Sequence, residues 1–328
     1  MDIMDLKEYL GEDWKAVQKC ITDSLSSDIS LLNSTNESIL SNSGKQLRPL
    51  LTLVMSRACS GGASANEATV RYAAAAELLH NATLLHDDVA DDSDQRRGVP
   101  TIRSLMGPSV SVLVGDYWLV KAMDLILGSA DSDVKIIRIF SKTLSDLAEG
   151  EMLQLQKAQS GDTDEQDYLR IIYNKTASLF EAACVSAAVA VGAAPRQQEA
   201  ARDYAVALGL AFQIKDDILD YAGTASVGKP LGVDILEQKI TIPLLGAFAS
   251  ASVEEEAEIR SKVAEIVAHP EYRDEIVEFV KRKGGLDYAV GRLEEYVRKA
   301  CDALEVFPDS REKAFLKELA VFTARRKM

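Results

Sequence analysis

Helix breakers are scarce. The chain has 19 glycines and 8 prolines in 328 residues, below the roughly 12% that the two make together in an average protein. Aromatic residues are only 6%, and Ala and Leu dominate the apolar set. β-Branched alternation is almost absent. Together these shortages favour helix over sheet, and the fold is expected to be all-α. The four cysteines, Cys20, Cys59, Cys184 and Cys301, are isolated and form no CxxC. Buried free thiols of a reducing cytoplasm are expected. The longest uncharged stretches, Ala182–Pro195 and Ile240–Val253, have 14 residues each, short of the roughly 20 that a spanning helix needs. The N-terminus carries Asp2, Asp5, Lys7 and Glu8 and no basic start before an apolar run, so no secretion signal is expected. Low-complexity linkers, a solenoid period and a phosphate-cradling glycine loop are also missing, which argues against repeat architectures and against a nucleotide ligand.

What is present is a large apolar fraction, 47%, enough for a sizeable core. Length alone suggests about two domains at roughly 150 residues each. The acidic segment Asp162–Asp167 nevertheless reads as a helix–helix loop, so a single domain over 1–328 is expected. Breakers divide the chain into helical runs. One starts near Asp13 and runs past Leu31, another begins after Pro49, and a third covers Asn66 to about Asp92. Further runs cover 109–128, 133–158, 166–192, 197–221, 239–250, 254–268, 271–283, 286–304 and 309–325. Asp and Glu total 51 against 37 Lys and Arg, a net charge of −14. Such a chain repels a polyphosphate backbone, so no nucleic-acid partner is expected. An anionic small substrate would need metal ions to offset the same charge.

Charge concentrates at two places. Asp87, Asp88, Asp91, Asp92 and Asp94 put five carboxylates into eight residues late in a helix. Asp87 and Asp91 are i and i+4 and share one face. At ~6 Å and an effective dielectric of ~20 they repel by roughly 3 kcal/mol, and the helix C-terminus disfavours anions further. A solvated helix end is the plain alternative; a hard-cation site is the functional one. Mg²⁺ is held by one or two carboxylates plus substrate phosphates and water. His80, Thr83, Asp87 and Asp91 form one stripe, which aligns the histidine with the carboxylates. The spacing recurs in Phe212-Gln213-Ile214-Lys215-Asp216-Asp217-Ile218-Leu219-Asp220. There Gln213, Asp216, Asp217 and Asp220 share a stripe. One DDxxD is a weak signal and two on separate helices a strong one. If the helices face each other, their carboxylates frame a cavity that only metals and a polyanion could neutralise. Cations sit close by in sequence: Lys45 and Arg48 three apart before a proline, Arg96 and Arg97 after the first cluster, Lys175 beside Thr176, and Lys229 and Lys239 after the second cluster. Singly each reads as a solvated charge. Beside metal-type carboxylates they suggest an anion with several phosphate oxygens.

GKQLRP (44–49), LLHDDVADDSDQRRG (84–98), KT (175–176), FQIKDDILD (212–220) and GKPLGVDILEQK (228–239) resemble, in order and spacing, the motifs of the trans-polyprenyl diphosphate synthases. The likeness covers nearly the whole chain. ATLLHDD (82–88) is most similar to the long-chain, octaprenyl-type members. The resemblance implies an isoprenoid synthase fold, a single large helical bundle around a central cavity, usually as a cytoplasmic homodimer. It implies about three Mg²⁺ per site, with Asp87, Asp91 and Asp216 as ligands and Asp88, Asp217 and Asp220 in support. Lys45, Arg48, His80 and Arg97 would hold isopentenyl diphosphate. Arg96, Lys175, Thr176, Gln213, Lys229 and Lys239 would serve the allylic diphosphate. The reaction implied is head-to-tail elongation to a long polyprenyl diphosphate, of the kind used for a quinone side chain, with the released diphosphate as proton acceptor. Contact with a membrane would be transient, for product release. One departure is visible: the family commonly has Glu-Gly-Lys where this chain has Glu237-Gln238-Lys239.

Product length should follow the depth of an apolar tunnel running back along the Asp87 helix. Thr83 lies one turn before Asp87 and Leu79 two. By resemblance, Ala82 holds the position where shorter-chain members carry a bulky residue. With the door open, Ile126 and Phe140 are the candidate floor, or ordinary core residues. A shorter-chain synthase, making farnesyl or geranylgeranyl diphosphate, is the nearest alternative. A terpene cyclase would not need the GKQLRP and RRG clamps. A His-Asp phosphohydrolase leaves the second DDxxD unexplained with only three histidines in the chain. A non-catalytic subunit of a heteromer should have lost carboxylates that are intact here.

Overall fold

The computed structural model describes residues 3–42, 44–96, 98–128, 134–222 and 232–325. The all-α expectation holds: among the described residues the only strands are the two-residue β1 (Gln95–Arg96) and β2 (Val99–Pro100), paired antiparallel. The helices are α1 (Ile3–Leu10), α2 (Glu12–Ser24), α3 (Ser30–Ser41), α4 (Leu47–Ser60), α5 (Glu67–Ala90), α6 (Ile102–Met106), α7 (Pro108–Leu127), α8 (Val134–Ser160) and α9 (Glu165–Ile172). A π-helical turn, Tyr173–Ala177, joins α9 to α10 (Ser178–Ala190). Then come α11 (Pro195–Ala222), α12 (Val233–Leu236), α13 (Ile242–Phe248), α14 (Val253–Ala264), α15 (Tyr272–Arg282), α16 (Gly285–Ala303) and α17 (Arg311–Arg325).

Several expected boundaries moved, three of them for a plain local reason. The run from Asp13 past Leu31 is two helices. Asn33 accepts from the Ser27 N–H and donates to the Ser27 carbonyl, and Asn36 donates to the Leu25 carbonyl, so side chains take backbone groups that a continuous helix would need. Helix α4 begins two residues before Pro49, because a proline in the first turn forfeits only an N–H that has no intrahelical partner. The run 239–250 shrinks to α13, where Pro243 is confined to the helix start. The short α1, α6 and α12 and the hairpin lay outside the expected runs.

The chain divides into two compact units. One comprises Met1–Ser141, Ala182–Arg202 and Val306–Leu316, the other Lys142–Glu181, Asp203–Glu305 and Lys317–Met328. In the first, α5 packs on α7, α4 and α2. Its small side chains Ala73, Ala74, Ala75 and Ala76 are fully buried, which lets neighbouring helices approach closely. The Asn66 side chain accepts from the Thr69 N–H and caps the helix start. In the second unit α13 packs on α16 and α15, over a core that includes Ile235, Ile240, Leu244 and Val280.

Candidate active site

The first acidic cluster sits where α5 ends. Ala90 is the last helical residue, yet the Asp91 N–H still bonds the Asp87 carbonyl at 2.8 Å. The i, i+4 relation therefore survives at the helix end. Asp92 follows with φ +53°, a left-handed conformation that Asp tolerates better than most residues. Asp87 is half-buried, Asp91 exposed and Asp88 buried. Burial raises the Asp88 carboxyl above its usual range, while Arg96, whose Nε donates to Asp88 at 2.8 Å, opposes the rise. Arg103 reaches both Asp94, at 2.7 Å, and Asp92. Three of the five carboxylates thus carry an arginine. Arg96, expected at an allylic diphosphate, lies on Asp88, and Arg97 is outside the described residues.

Along the same helix, His80 and Thr83 are half-buried, and the Thr83 hydroxyl donates to the His80 carbonyl. Leu79 and Ala82 are fully buried, so the helix separates the stripe from its packed side. Ile126 and Phe140 are also fully buried, and the Phe140 ring lies 6.2 Å from that of Tyr72 on α5. Lys45 is exposed and Arg48 half-buried. Between them Gln46 adopts φ +56° and ψ 51° as the residue capping α4, so the chain turns sharply into the helix that carries Arg48.

The second cluster lies on α11 in the other unit. Asp216 and Asp220 are half-buried and Asp217 is 3% exposed. One Asp217 oxygen accepts from the Tyr168 hydroxyl at 2.7 Å, the other from Gln213 Nε2 at 2.9 Å. Thr176 donates to Gln213 Oε1 at 3.0 Å. Burial and the nearby Asp234 push Asp217 well above the carboxylate range. The two oxygens of Asp220 accept from the Val233 and Asp234 N–H groups at 3.1 and 3.2 Å and so hold the start of α12. This brings Asp234 alongside. Burial first, then Asp220, pushes Asp234 up to about 6.

The expected pair Lys175-Thr176 falls inside the π turn. π Turns occur often at functional sites, and this one is held by two glycines. A Cβ on Gly150 of α8 would stand 2.7 Å from Asn174 Cβ and 2.9 Å from Lys175 Cγ. One on Gly209 of α11 would stand 2.5 Å from Ala177 Cα. Lys175 Nζ bonds Glu151 at 2.6 Å and Gln154 at 2.9 Å. A cavity of about 150 Å³ brings together Lys175, Gln213, Asp217, Asp234, Lys239 and Tyr168. Lys239 also pairs with Glu237. Lys229 is outside the described residues. Gln238, where a glycine was expected by resemblance, has φ +59°. Its side chain donates to the Ala264 carbonyl at 2.7 Å, at the end of α14.

Comparison with known proteins shows the family. Residues 29–280 match the polyprenyl synthetase family. Over 327 residues the chain is 38% identical to the octaprenyl diphosphate synthase of Haemophilus influenzae, covering 99% of this chain and 98% of that one. The chain belongs to the polyprenyl synthetase family. This synthetase is a prenyltransferase. A decaprenyl diphosphate synthase from Rhodobacter capsulatus superposes with a TM-score of 0.92 at 35% identity, covering 100% of both chains. A polyprenyl synthase from Caulobacter crescentus CB15, solved with calcium and isoprenyl diphosphate, gives 0.90 at 36% identity, covering 100% of this chain and 98% of that one. The helical bundle expected from the sequence is the fold of these enzymes.

The donor chemistry of the synthetase suits a hard divalent cation. Both acidic motifs offer carboxylate oxygens only. Among the described residues no three His, Cys, Asp or Glu converge into a ready-made cage. Mg²⁺ does not need one, since it keeps several waters and takes one or two carboxylates with substrate phosphates. Among the described residues no helix is long and apolar enough to cross a membrane. Asp234 and Tyr168 are among the cavity residues that the sequence analysis did not single out. Asp234 lies inside the GKPLGVDILEQK motif and was open to view there. Tyr168 lies 49 residues from its partner Asp217, and no local spacing marks it.

Proposed function

We infer that this synthetase condenses isopentenyl diphosphate with an allylic diphosphate, repeatedly, to a long-chain polyprenyl diphosphate of about the octaprenyl length. The observation that carries the proposal is the cavity beside the second DDxxD, where Lys175 and Lys239 converge with Gln213 and Asp217. Cations and carboxylates side by side fit an anion that arrives with metal ions. The relatives named above support the long product, since octaprenyl and decaprenyl synthases stand among them.

Asp87, Asp91 and Asp216 would hold Mg²⁺, with Asp88, Asp217 and Asp220 fixing their surroundings. Mg²⁺, when bound, offsets carboxylate charge and stabilises charge developing on the leaving diphosphate. Lys175 and Lys239 bind and orient the allylic diphosphate, with Thr176 and Gln213 beside them. Lys45, Arg48 and His80 bind isopentenyl diphosphate. The buried apolar lining of α5 excludes water from the reacting carbons. The calcium and isoprenyl diphosphate of the Caulobacter enzyme support both the metal and the substrate class.

The enzyme acts as a homodimer in the cytoplasm. Leu113, Val120 and Leu127 recur every seven residues along α7 and are 67%, 53% and 50% exposed, an apolar stripe that a second copy would cover. Free thiols at Cys20, Cys59, Cys184 and Cys301 suit a reducing compartment. Incubation of the purified protein with Mg²⁺, farnesyl diphosphate and labelled isopentenyl diphosphate tests the proposal. Chain-elongated product is expected. A cyclised hydrocarbon, or no turnover without a second subunit, would overturn it.

A further inference from the structure

We propose that Ser111 is a positioning residue, which holds the last turn of α5 in place and with it the spacing of Asp87 and Asp91. The proposal rests on the prenyltransfer assigned above, in which those two carboxylates serve Mg²⁺. Ser111 lies near the start of α7 and is fully buried, and its hydroxyl donates to the Leu85 carbonyl of α5 at 2.8 Å. A serine hydroxyl often bonds a carbonyl of its own helix; this one crosses to a neighbouring helix. A carbonyl oxygen has two lone pairs, so the bond adds to the ladder of α5 without competing with it. Four residues on, along the same face of α7, Gly115 meets the next residue of α5. A Cβ there would stand 2.5 Å from His86 Nε2 and 2.7 Å from His86 Cδ2. Helix α7 therefore grips α5 at Leu85 and His86, the two residues directly before Asp87.

This is where α5 needs an outside hold. Helix ends fray, the last four carbonyls have no partner within the helix, and the C-terminus disfavours anions. Here Asp87 and Asp88 occupy the last turn and Asp91 caps it. The Asp91 N–H bonds the Asp87 carbonyl at 2.8 Å and the Ser93 N–H bonds the Asp88 carbonyl at 2.9 Å. Those two bonds keep Asp87 and Asp91 one turn apart on one face. Mg²⁺ demands near-ideal octahedral geometry, so an end that opens loses metal affinity before the fold suffers. Ser111→Ala keeps a good helix former at the position and removes only the hydroxyl.

The test compares wild type, Ser111→Ala and Ser186→Ala. Ser186 is also fully buried, but its hydroxyl donates to the Ala183 carbonyl of its own helix, α10, at 3.2 Å, so it reports the general cost of losing a buried serine hydroxyl. Amide hydrogen exchange is followed in the metal-free proteins by mass spectrometry. Each protein is titrated with Mg²⁺ and inorganic pyrophosphate by calorimetry, and elongation is measured as Mg²⁺ is varied. In Ser111→Ala the exchange of residues 89–93 is expected to quicken about fivefold, the scale of one neutral hydrogen bond, while that of Ala73–Ala76 is unchanged. Mg²⁺ affinity falls, and the Mg²⁺ needed for half-maximal elongation rises, by a similar factor; kcat at saturating Mg²⁺ stays within about twofold. Ser186→Ala lowers Tm as much as Ser111→Ala does and leaves exchange at 89–93 and the Mg²⁺ dependence at wild-type values. Unchanged exchange at 89–93 in Ser111→Ala, faster exchange with unchanged Mg²⁺ affinity, or an equal Mg²⁺ shift in Ser186→Ala overturns the role of Ser111. If wild type fails to elongate, the prenyltransfer proposal fails, and exchange and calorimetry still decide the role of Ser111. No binding of Mg²⁺ and pyrophosphate by wild type overturns it.

Discussion

Gly209→Ala places one methyl group where two helical segments touch. The added Cβ would stand 2.5 Å from Ala177 Cα and 2.7 Å from Ala177 Cβ, against an ordinary carbon contact of about 3.5–4.0 Å. Both neighbours are fixed to backbone, so no rotamer relieves the clash and the segments must part by about 1 Å. Overpacking of this kind costs about 1–3 kcal/mol. Alanine in a helix returns roughly 1 kcal/mol relative to glycine. The net loss is then between zero and about 2 kcal/mol, a fall in Tm of a few degrees. The effect on rate is larger. Gln213 is one turn beyond Gly209, and its 3.0 Å bond from Thr176 does not survive a parting of that size. A misplacement of about 1 Å at a reacting site can cost roughly a hundredfold. Elongation assays at saturating substrate, with thermal unfolding of the same sample, are expected to show a large loss of kcat and a small loss of Tm. Gly291→Ala is the control: on α16 its added Cβ meets nothing within 4 Å, so stability should rise by about 1 kcal/mol with kcat unchanged. A Gly209→Ala enzyme that elongates at the wild-type rate would refute the close-approach reasoning.

Asp87→Asn and Asp216→Asn should each lower kcat at least about a hundredfold at saturating Mg²⁺ while Tm holds, since each removes a repelled charge. Retention of near-wild-type turnover in either would remove that residue from the metal site. Ala82→Phe should shorten the product and Phe140→Ala lengthen it, as chromatography of the dephosphorylated alcohols would record; unchanged lengths in both would discard the α5 tunnel. Gln238→Gly should change stability by less than about 1 kcal/mol, because relief of the left-handed backbone is offset by loss of the bond to Ala264, whereas Gln238→Val should be clearly destabilised in a denaturant titration. Val120→Glu should shift the protein from dimer to monomer in sedimentation velocity, and an unchanged coefficient would place the dimer contact elsewhere.

Much of this was legible in the residues. Repeated DDxxD spacing marked both carboxylate clusters, because i, i+4 geometry is fixed by the helix itself. The lack of Gly, Pro and aromatics marked the fold class. Long-range pairing was not legible. Nothing near Arg96 says that it bonds Asp88 across a turn, and Arg103 drew no notice because its partners precede it by nine and eleven residues. Tyr168 looked like any aromatic on an apolar face. Gln238 was noticed only as a departure from glycine, and its positive φ explains why glycine suits that position. The π turn has no sequence signature, since Tyr173–Ala177 would read equally well as α-helix.

A π turn contains one residue more than a regular helix needs. Removing a single codon within Tyr173–Ala177 would restore even winding from Glu165 to Ala190, and local hydrogen bonding would improve. The same deletion would leave the flanking faces close to their present phase, because a π turn sweeps with one more residue about the angle that an α turn sweeps without it. Tyr168, Ile171 and Ile172 before it and Phe180 and Cys184 after it, all buried, would keep their places. The extra residue therefore leaves the packed faces alone and acts on the turn itself, where Lys175 and Thr176 sit. Its loss would spare the core and displace those two side chains.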